Sequence, residues 1–323
     1  MKPLKLLAFL LIFMPFTAGA KITGFIVECD QPTNINYGTE VNFRFFVLNK
    51  KGKKEPLRRS QCDLVKITST HAEFSFFTMP DNSSAGGKAV LFTRPKTVQD
   101  TVAEVLFTLV EDENKFEQSF RFRINYKGPM KIAFNGFEGK WGGVFEKGRE
   151  VITHLSSNDG ENGGNGDNGK DIAVTFLKLN SGYPDSFYVC RVITVADNQS
   201  FEFRIQNPNE PITIDCRGGK GGRGGDGTNG SKRNRYRLNG GNGGNGGTGG
   251  NGGAITVRIS TNAAEIKKSI TCLNSGGMGG NAGAPGKGVF HKSGDPELTG
   301  KDGVPGLQGM LGQNGPEPVI VVE

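Results

Sequence analysis

Residues 239–254 read NGGNGGNGGTGGNGGA. Glycine-rich stretches usually behave as flexible coil. This one repeats every three residues and keeps two glycine registers, Gly240 to Gly252 and Gly241 to Gly253, which is more order than a linker needs. Polyproline II geometry has three residues per turn, so every third residue lies along one edge. That geometry has no internal hydrogen bonds, and its backbone groups need lateral partners if buried. Glycine on the contact edge lets a neighbouring backbone come close enough to supply them. The stretch is therefore read as built structure.

The same period recurs from residue 131 onward. One run is Gly136, Gly139 and Gly142, and the next is Gly160, Gly163, Gly166 and Gly169. The third runs from Gly218 to Gly230, the fourth is the opening stretch, and the fifth is Gly277, Gly280, Gly283 and Gly286. The sixth is Gly300, Gly303, Gly306, Gly309, Gly312 and Gly315. Collagen meets the same need with three chains and abundant proline. Here the runs belong to one chain and the last has a single interior proline, so a bundle of polyglycine II helices within the chain is expected. Runs with two glycine edges, the third and fourth, should be interior. The sixth has one glycine edge and should be outermost.

Strand-like pieces separate the runs: 171–179, 187–195, 201–205, 212–216, 254–259, 269–273 and 319–322. Two junctions are alike. Ile212–Cys216 leads into RGGKGGRGGDG, and Ser269–Cys272 leads into LNSGGMGGNAG. A strand feeding a glycine helix reads as a repeated unit. Cys216 and Cys272 hold equivalent places in it, so a disulfide between them is open, as is Cys190 with Cys216.

Residues 21–128 are different: poor in glycine, rich in Phe, Val and Ile. Runs at 22–29, 41–48, 64–70, 73–78, 88–92, 103–110 and 116–126 read as strands. In Ser119–Tyr126 apolar and polar residues alternate, as in a half-buried strand. Turn signals fall at 34–38, 50–55, 80–84 and 111–114. About seven short strands with turns between them imply an immunoglobulin-like β-sandwich in architecture, without its Cys…Trp…Cys spacing. Lys127–Met130 is the expected linker. The fold class is thus all-β or irregular, with a sandwich over 21–128 followed by a glycine-rich bundle over 129–323.

The chain opens MKPLKLLAFLLIFMPFTAGA. Lys2 and Lys5 precede an apolar stretch and the small residues Ala18-Gly19-Ala20, the pattern of a secretory signal peptide cleaved after Ala20. No later stretch approaches the length of a membrane-spanning helix. The expected product is exported: periplasmic, outer-membrane-associated or extracellular. Formal charge is only +7 at pH 7, so nucleic acid is not favoured as a partner. Cys29, Cys62, Cys190, Cys216 and Cys272 are too few for a disulfide scaffold.

RGGKGGRGGDGTNG, a basic loop, and then NGGNGGNGGTGGNGGAITVRI resemble the glycine-rich domain of Obg-type GTPases. The resemblance covers roughly residues 131–323 and implies six polyproline II-type helices with short strands. Similar bundles occur in tip adhesins of some phage tail fibres, and secreted bacterial chains of this sort are called collagen-like. The GTPase half has no counterpart here, so no nucleotide activity carries over.

Chemistry-bearing motifs are sparse. Residues 164–170 fit the first seven positions of a phosphate loop, but Asp171 stands where the Mg²⁺-binding hydroxyl belongs. Residues 221–226 match the start of a calcium nonapeptide only once. Asp159, Glu161, Asp167 and Asp171 could offer oxygens to calcium. His71, His154 and His291 form no metal spacing, and no G-x-S-x-G elbow occurs. No catalytic residue, metal site or cofactor is assigned. The loop with Lys232, Arg233, Arg235, Tyr236 and Arg237 is a candidate contact for an anionic envelope polymer or glycan. Val304, Pro305, Leu307, Met310 and Leu311 either form an exposed patch that marks a protein partner or pack beneath neighbouring strands. Trp141 is either a sugar platform or a cover for the bundle end. The function expected is non-catalytic: a structural or interaction subunit of the bacterial cell envelope, or an adhesin.

Overall fold

Alternating apolar and polar residues mark the longer strands of the first half, as in 119–126. In a computed structural model, residues 22–29, 34–38, 41–57, 64–69, 72–77, 88–111, 114–142, 159–179, 187–231, 238–290, 293 and 299–323 are described. The chain is mostly β-sheet with little helix. Strands β1 (Gly24–Cys29), β2 (Asn34–Asn36), β3 (Asn42–Leu48), β4 (Lys54–Pro56), β5 (Val65–Ser69), β6 (Ala72–Phe77), β7 (Lys88–Thr93), β8 (Val102–Glu111) and β9 (Asn114–Asn125) form two sheets. One has the order β1-β3-β7-β6 with β4 on β3, and the other β2-β9-β8-β5. In β9, Phe120, Phe122 and Ile124 turn inward while Ser119, Arg121 and Arg123 stay exposed. The two sheets share one core. Phe43 and Phe45 of β3 are fully buried against Phe107 of β8, and the Phe43 and Phe107 rings are 4.7 Å apart. Each such side chain contributes roughly 1.5–3 kcal/mol by leaving water.

Two expected turns contain strands. Asn34–Asn36 pairs in parallel with the end of β9 before the chain turns at Gly38, whose φ is +69°. Its polar sequence hides it, since only Ile35 of β2 is buried. Likewise β4 follows Gly52, at φ +70°, and pairs with β3.

The second half carries β10 (Met130–Ala133), β11 (Ile172–Leu179), β12 (Phe187–Thr194), β13 (Ser200–Ile205), β14 (Ile212–Asp215), β15 (Ile255–Ile259), β16 (Ile270–Leu273) and β17 (Val319–Val322). A 3-10 helix spans Thr261–Ser269. Its buried Ala263 and Ile266 are three apart, the spacing that shares a face in that helix. Neither β10 nor this helix stands out in the sequence. Met130, expected to close a linker, pairs with Ile212 as the first residue of β10.

β10, β14 and β16 form a parallel sheet, and the second sheet has the order β13-β12-β11-β15-β17. Their core of Ile132, Phe134, Val174, Phe176, Val192, Phe203, Ile214 and Val257 also includes Tyr37, Ala103 and Ile124 of the first half. Tyr37 is the joint. Its carbonyl accepts from Lys131 N–H, its hydroxyl accepts from Arg204 N–H at 3.4 Å, and its ring meets Phe203 edge-on. Burial pushes its pKa up to about 12. Arg94 reaches across to donate to the Ala133 carbonyl at 2.9 Å and lies over the Phe134 ring.

The strands explain the glycine segments. β10, β14 and β16 run into the first, third and fifth segments, while the second, fourth and sixth run out into β11, β15 and β17. The unit is strand–segment–connection–segment–strand, three times over. Hydrogen bonds at period three link the segments. Gly136, Gly139 and Gly142 donate to Arg217, Lys220 and Arg223 of the third segment, which runs in the same direction. Gly164, Asp167 and Lys170 donate to Lys140, Phe137 and Phe134, so the second segment runs opposite to the first. The full pattern gives two rows, first–third–fifth and second–fourth–sixth, stacked and bonded to each other.

The third segment bonds to the first, second, fourth and fifth; the fourth bonds to the second, third, fifth and sixth. Both glycine registers of residues 239–254 are in use. A Cβ on Gly246 would lie 2.0 Å from the Gly280 oxygen, and one on Gly247 would lie 1.9 Å from the Gly164 oxygen. No side chain fits there without parting the backbones. Gly246→Val is expected to cost at least about 3 kcal/mol, while Lys301→Val on the exposed surface stays within about 0.5 kcal/mol. Thermal unfolding of the two variants checks this; equal melting temperatures would refute the account of the glycine period.

Candidate functional site

The non-glycine residues of the segments fall into columns. On the face of the second, fourth and sixth segments, Asp159, Asn162, Asn165, Asn168 and Asp171 each accept from a backbone N–H of the fourth segment: Asn242, Asn245, Thr248, Asn251 and Ala254. The fourth segment repeats the device. Asn239, Asn242, Asn245 and Asn251 accept from the N–H groups of Lys301, Val304, Leu307 and Gln313 at 2.8–2.9 Å. These outward N–H groups, which no backbone reaches, are each covered by an Asn or Asp oxygen from the neighbour; Thr248 interrupts the column at the level of Met310. The sequence reading missed this ladder, although asparagine at every third position was its visible signal.

The sixth segment ends the row. Where the second and fourth place glycines such as Gly163 and Gly243, which donate to the next segment, the sixth has Asp302, Pro305, Gln308, Leu311 and Asn314. Asn314 and Asp302 fold back to accept from Gly276 and Gly288 N–H. Pro305 has no N–H to offer. A seventh segment therefore cannot dock by its backbone, and what this edge presents is side chains. Val304 is 65% exposed, Leu307 and Met310 72%, and Leu311 75%, with Pro305 also exposed. Of the two expectations for these residues, exposure is the one found. The edge continues into β17, the last strand of its sheet, where Val319 and Val321 are exposed.

Lys232, Arg233, Arg235, Tyr236 and Arg237 lie outside the described residues, as do the signal peptide, Cys62, His71, His154 and His291. The ends of their loop are placed. Gly230 donates to Lys287, Gly240 to Lys301, and Val289 to Leu238. The connection 231–238 thus leaves the array at the same end as 289–299. By the direction of the segments the connection 143–158 leaves at that end too. Trp141 stands half-exposed near it.

Other motifs take structural parts. In the phosphate-loop match, N–H groups of Gly164, Gly166, Asp167, Gly169 and Lys170 are all bonded to neighbouring segments and cannot cradle a phosphate. Asp159 and Asp171 sit about 37 Å apart along an extended segment, so they do not converge. No group of three metal-ligating side chains occurs among the described residues. Asp226 accepts from Arg223 and from Ala284 N–H. Cys190, Cys216 and Cys272 are free thiols, so neither pairing open to Cys216 is formed. Cys272 is level with Ile214, two residues short of Cys216, so the two do not hold equivalent places. Burial raises the Cys190 and Cys216 thiols well above the ordinary range, which keeps them unreactive.

Asp215, fully buried at the end of β14, accepts from Arg217 Nε at 2.9 Å and Nη2 at 2.7 Å, and pairs with Lys131 Nζ at 3.0 Å. Burial pushes its pKa up, but the bonds from Arg217 and Lys131 outweigh that and hold it below the usual value. It ties β10 to the start of the third segment. No family model, curated protein or solved structure matches the chain. Among the described residues no helix is long and apolar enough to cross a membrane.

Two measurements test these parts. Asn245→Ala should speed hydrogen exchange at the Leu307 amide while leaving that of Gly246 protected, because only the former is covered by the Asn245 side chain. A carboxylate held low stabilises fully above its unfolded value of about 4 and loses that effect as pH falls further. Asp215→Asn should therefore cost about 2 kcal/mol at pH 7 and flatten the loss of stability on acidification below pH ~4, followed by urea unfolding.

Proposed function

We propose that this chain is a non-catalytic structural and interaction protein of the bacterial cell envelope, exported by its leader and working as a soluble subunit of an outer-membrane or periplasmic assembly. In this reading residues 21–128 are an immunoglobulin-like sandwich and 129–323 a polyglycine II bundle. The period-three hydrogen bonds and the shared phenylalanine core support that assignment. The observation that carries the function is the solvent-facing edge of Val304, Pro305, Leu307, Met310 and Leu311 on a backbone bonded along its whole length. Large apolar side chains held out on a rigid frame mark a protein contact.

A second reading, an adhesin that binds glycan or another anionic polymer, is favoured by the convergence of the inter-segment connections at one end. The basic residues 232–237 belong to one of them. Catalysis and cofactors have no part in either reading.

Native purification from envelopes separates the two. For the subunit, the wild-type chain should co-purify stoichiometrically with envelope proteins, and Leu307→Asp with Leu311→Asp should lose them by at least tenfold at an unchanged melting temperature. Retention of the same partners by that variant would overturn the edge as the contact. Loss of binding only on neutralising Lys232, Arg233, Arg235 and Arg237 would favour the adhesin.

A further inference from the structure

The edge of the sixth segment also points to what covers it. We propose that its partner is a second copy of this chain, packed antiparallel along residues 301–317. This rests on the reading of that edge as an interface and names the occupant.

Side-chain packing is the mode left open here. Asp302, Pro305, Gln308, Leu311 and Asn314 occupy the positions where inner segments expose glycine, so no partner backbone can extend the array. The exposed residues form a linear ridge, with Val304, Leu307 and Met310 in one column and Pro305 and Leu311 in the next. A straight, narrow apolar ridge is matched along its length by another of the same shape, and a two-fold axis supplies one.

Charge sets the direction. Along this stretch Asp302 is engaged with Lys287, whereas Lys301 and Glu317 have no ion pair among the described residues. Both are exposed. They lie equally far in sequence from Gly309, roughly 25 Å on either side of it along an extended segment. A two-fold axis crossing the ridge at Gly309 brings Lys301 of each copy level with Glu317 of the other. The same rotation sets Leu307 beside Met310 of the second copy and Gln308 beside Leu311. A parallel arrangement would put lysine against lysine and glutamate against glutamate.

The outer edge of β13 is taken up by the first half of the chain, with Glu202 N–H bonded to Pro95 and Gln206 N–H to Tyr126.

The test is sedimentation equilibrium of the purified full chain from 1 to about 100 µM, with parallel co-purification from envelopes. A dimer is expected. Leu307→Asp with Leu311→Asp should make it monomeric at an unchanged melting temperature. Lys301→Glu should weaken association about fivefold, and adding Glu317→Lys should restore it. Gln308→Cys, close to the axis, should give an oxidised dimer, while Lys220→Cys on the other face and the wild-type thiols should not. A chain that stays monomeric throughout, a dimer that survives the double aspartate, or crosslinking no better from Gln308→Cys than from Lys220→Cys would each overturn the proposal. A monomeric chain that loses its envelope partners through the same double substitution would overturn the self-partner and leave the interface reading standing. A chain that stays monomeric and keeps an unaffected partner set through that substitution would overturn both.

Discussion

Everything in the glycine-rich half follows from one obligation: an extended backbone with no bonds of its own must find lateral partners for each buried N–H and C=O. Glycine at every third residue brings a neighbour within reach, and the neighbour must then be within reach of its own neighbours. Six segments in two stacked rows meet that demand. At the rims, where no backbone is available, asparagine and aspartate oxygens replace it, as Asn245 does for Leu307. The strands at the base extend the same rows, since β10, β14 and β16 carry the first row and β11, β15 and β17 the second. Little apolar burial is available to the segments themselves. The hydrophobic core beneath them anchors one end of the array that the hydrogen bonds hold in register.

That core does not belong to the glycine half alone. Tyr37, Ala103 and Ile124 enter it from the phenylalanine-rich sheets. Arg94 and Tyr37 cross the junction by hydrogen bonds to Ala133 and Lys131. The two halves are therefore not beads on a string, although their compositions change abruptly near residue 130. Composition reports what each segment buries against itself, and says little of what it shares with a neighbour.

Periodicity was the legible part. The alternation in β9 marks its buried face, and the period of three in the glycine runs marks which backbone N–H groups bond to a neighbouring segment. What stayed hidden was whatever lacked a period. β2 buries one side chain, so Asn34-Ile35-Asn36 reads as a turn. β10 is four residues long beside a Gly-Pro, and its pairing to β14 is set by the array above it. The asparagine ladder was present in the letters, but the spacing of Asn gains meaning only when the neighbouring N–H it covers is known. At the candidate site, the identity of Val304, Leu307 and Leu311 was visible and their exposure was not. Exposure depends on the sixth segment being last in its row, which is a property of the whole array.

The register between rows also restricts how such a chain can change in length. Gly244 meets Gly225, Glu161 and Gly283 at one level. Adding or removing one residue in any inner segment would turn its glycines away from every neighbour above that point at once. Insertions of three would keep the edges aligned yet leave an overhang unless the adjoining segments grew as well. The length of each segment is thus tied to that of its neighbours, in steps of three residues.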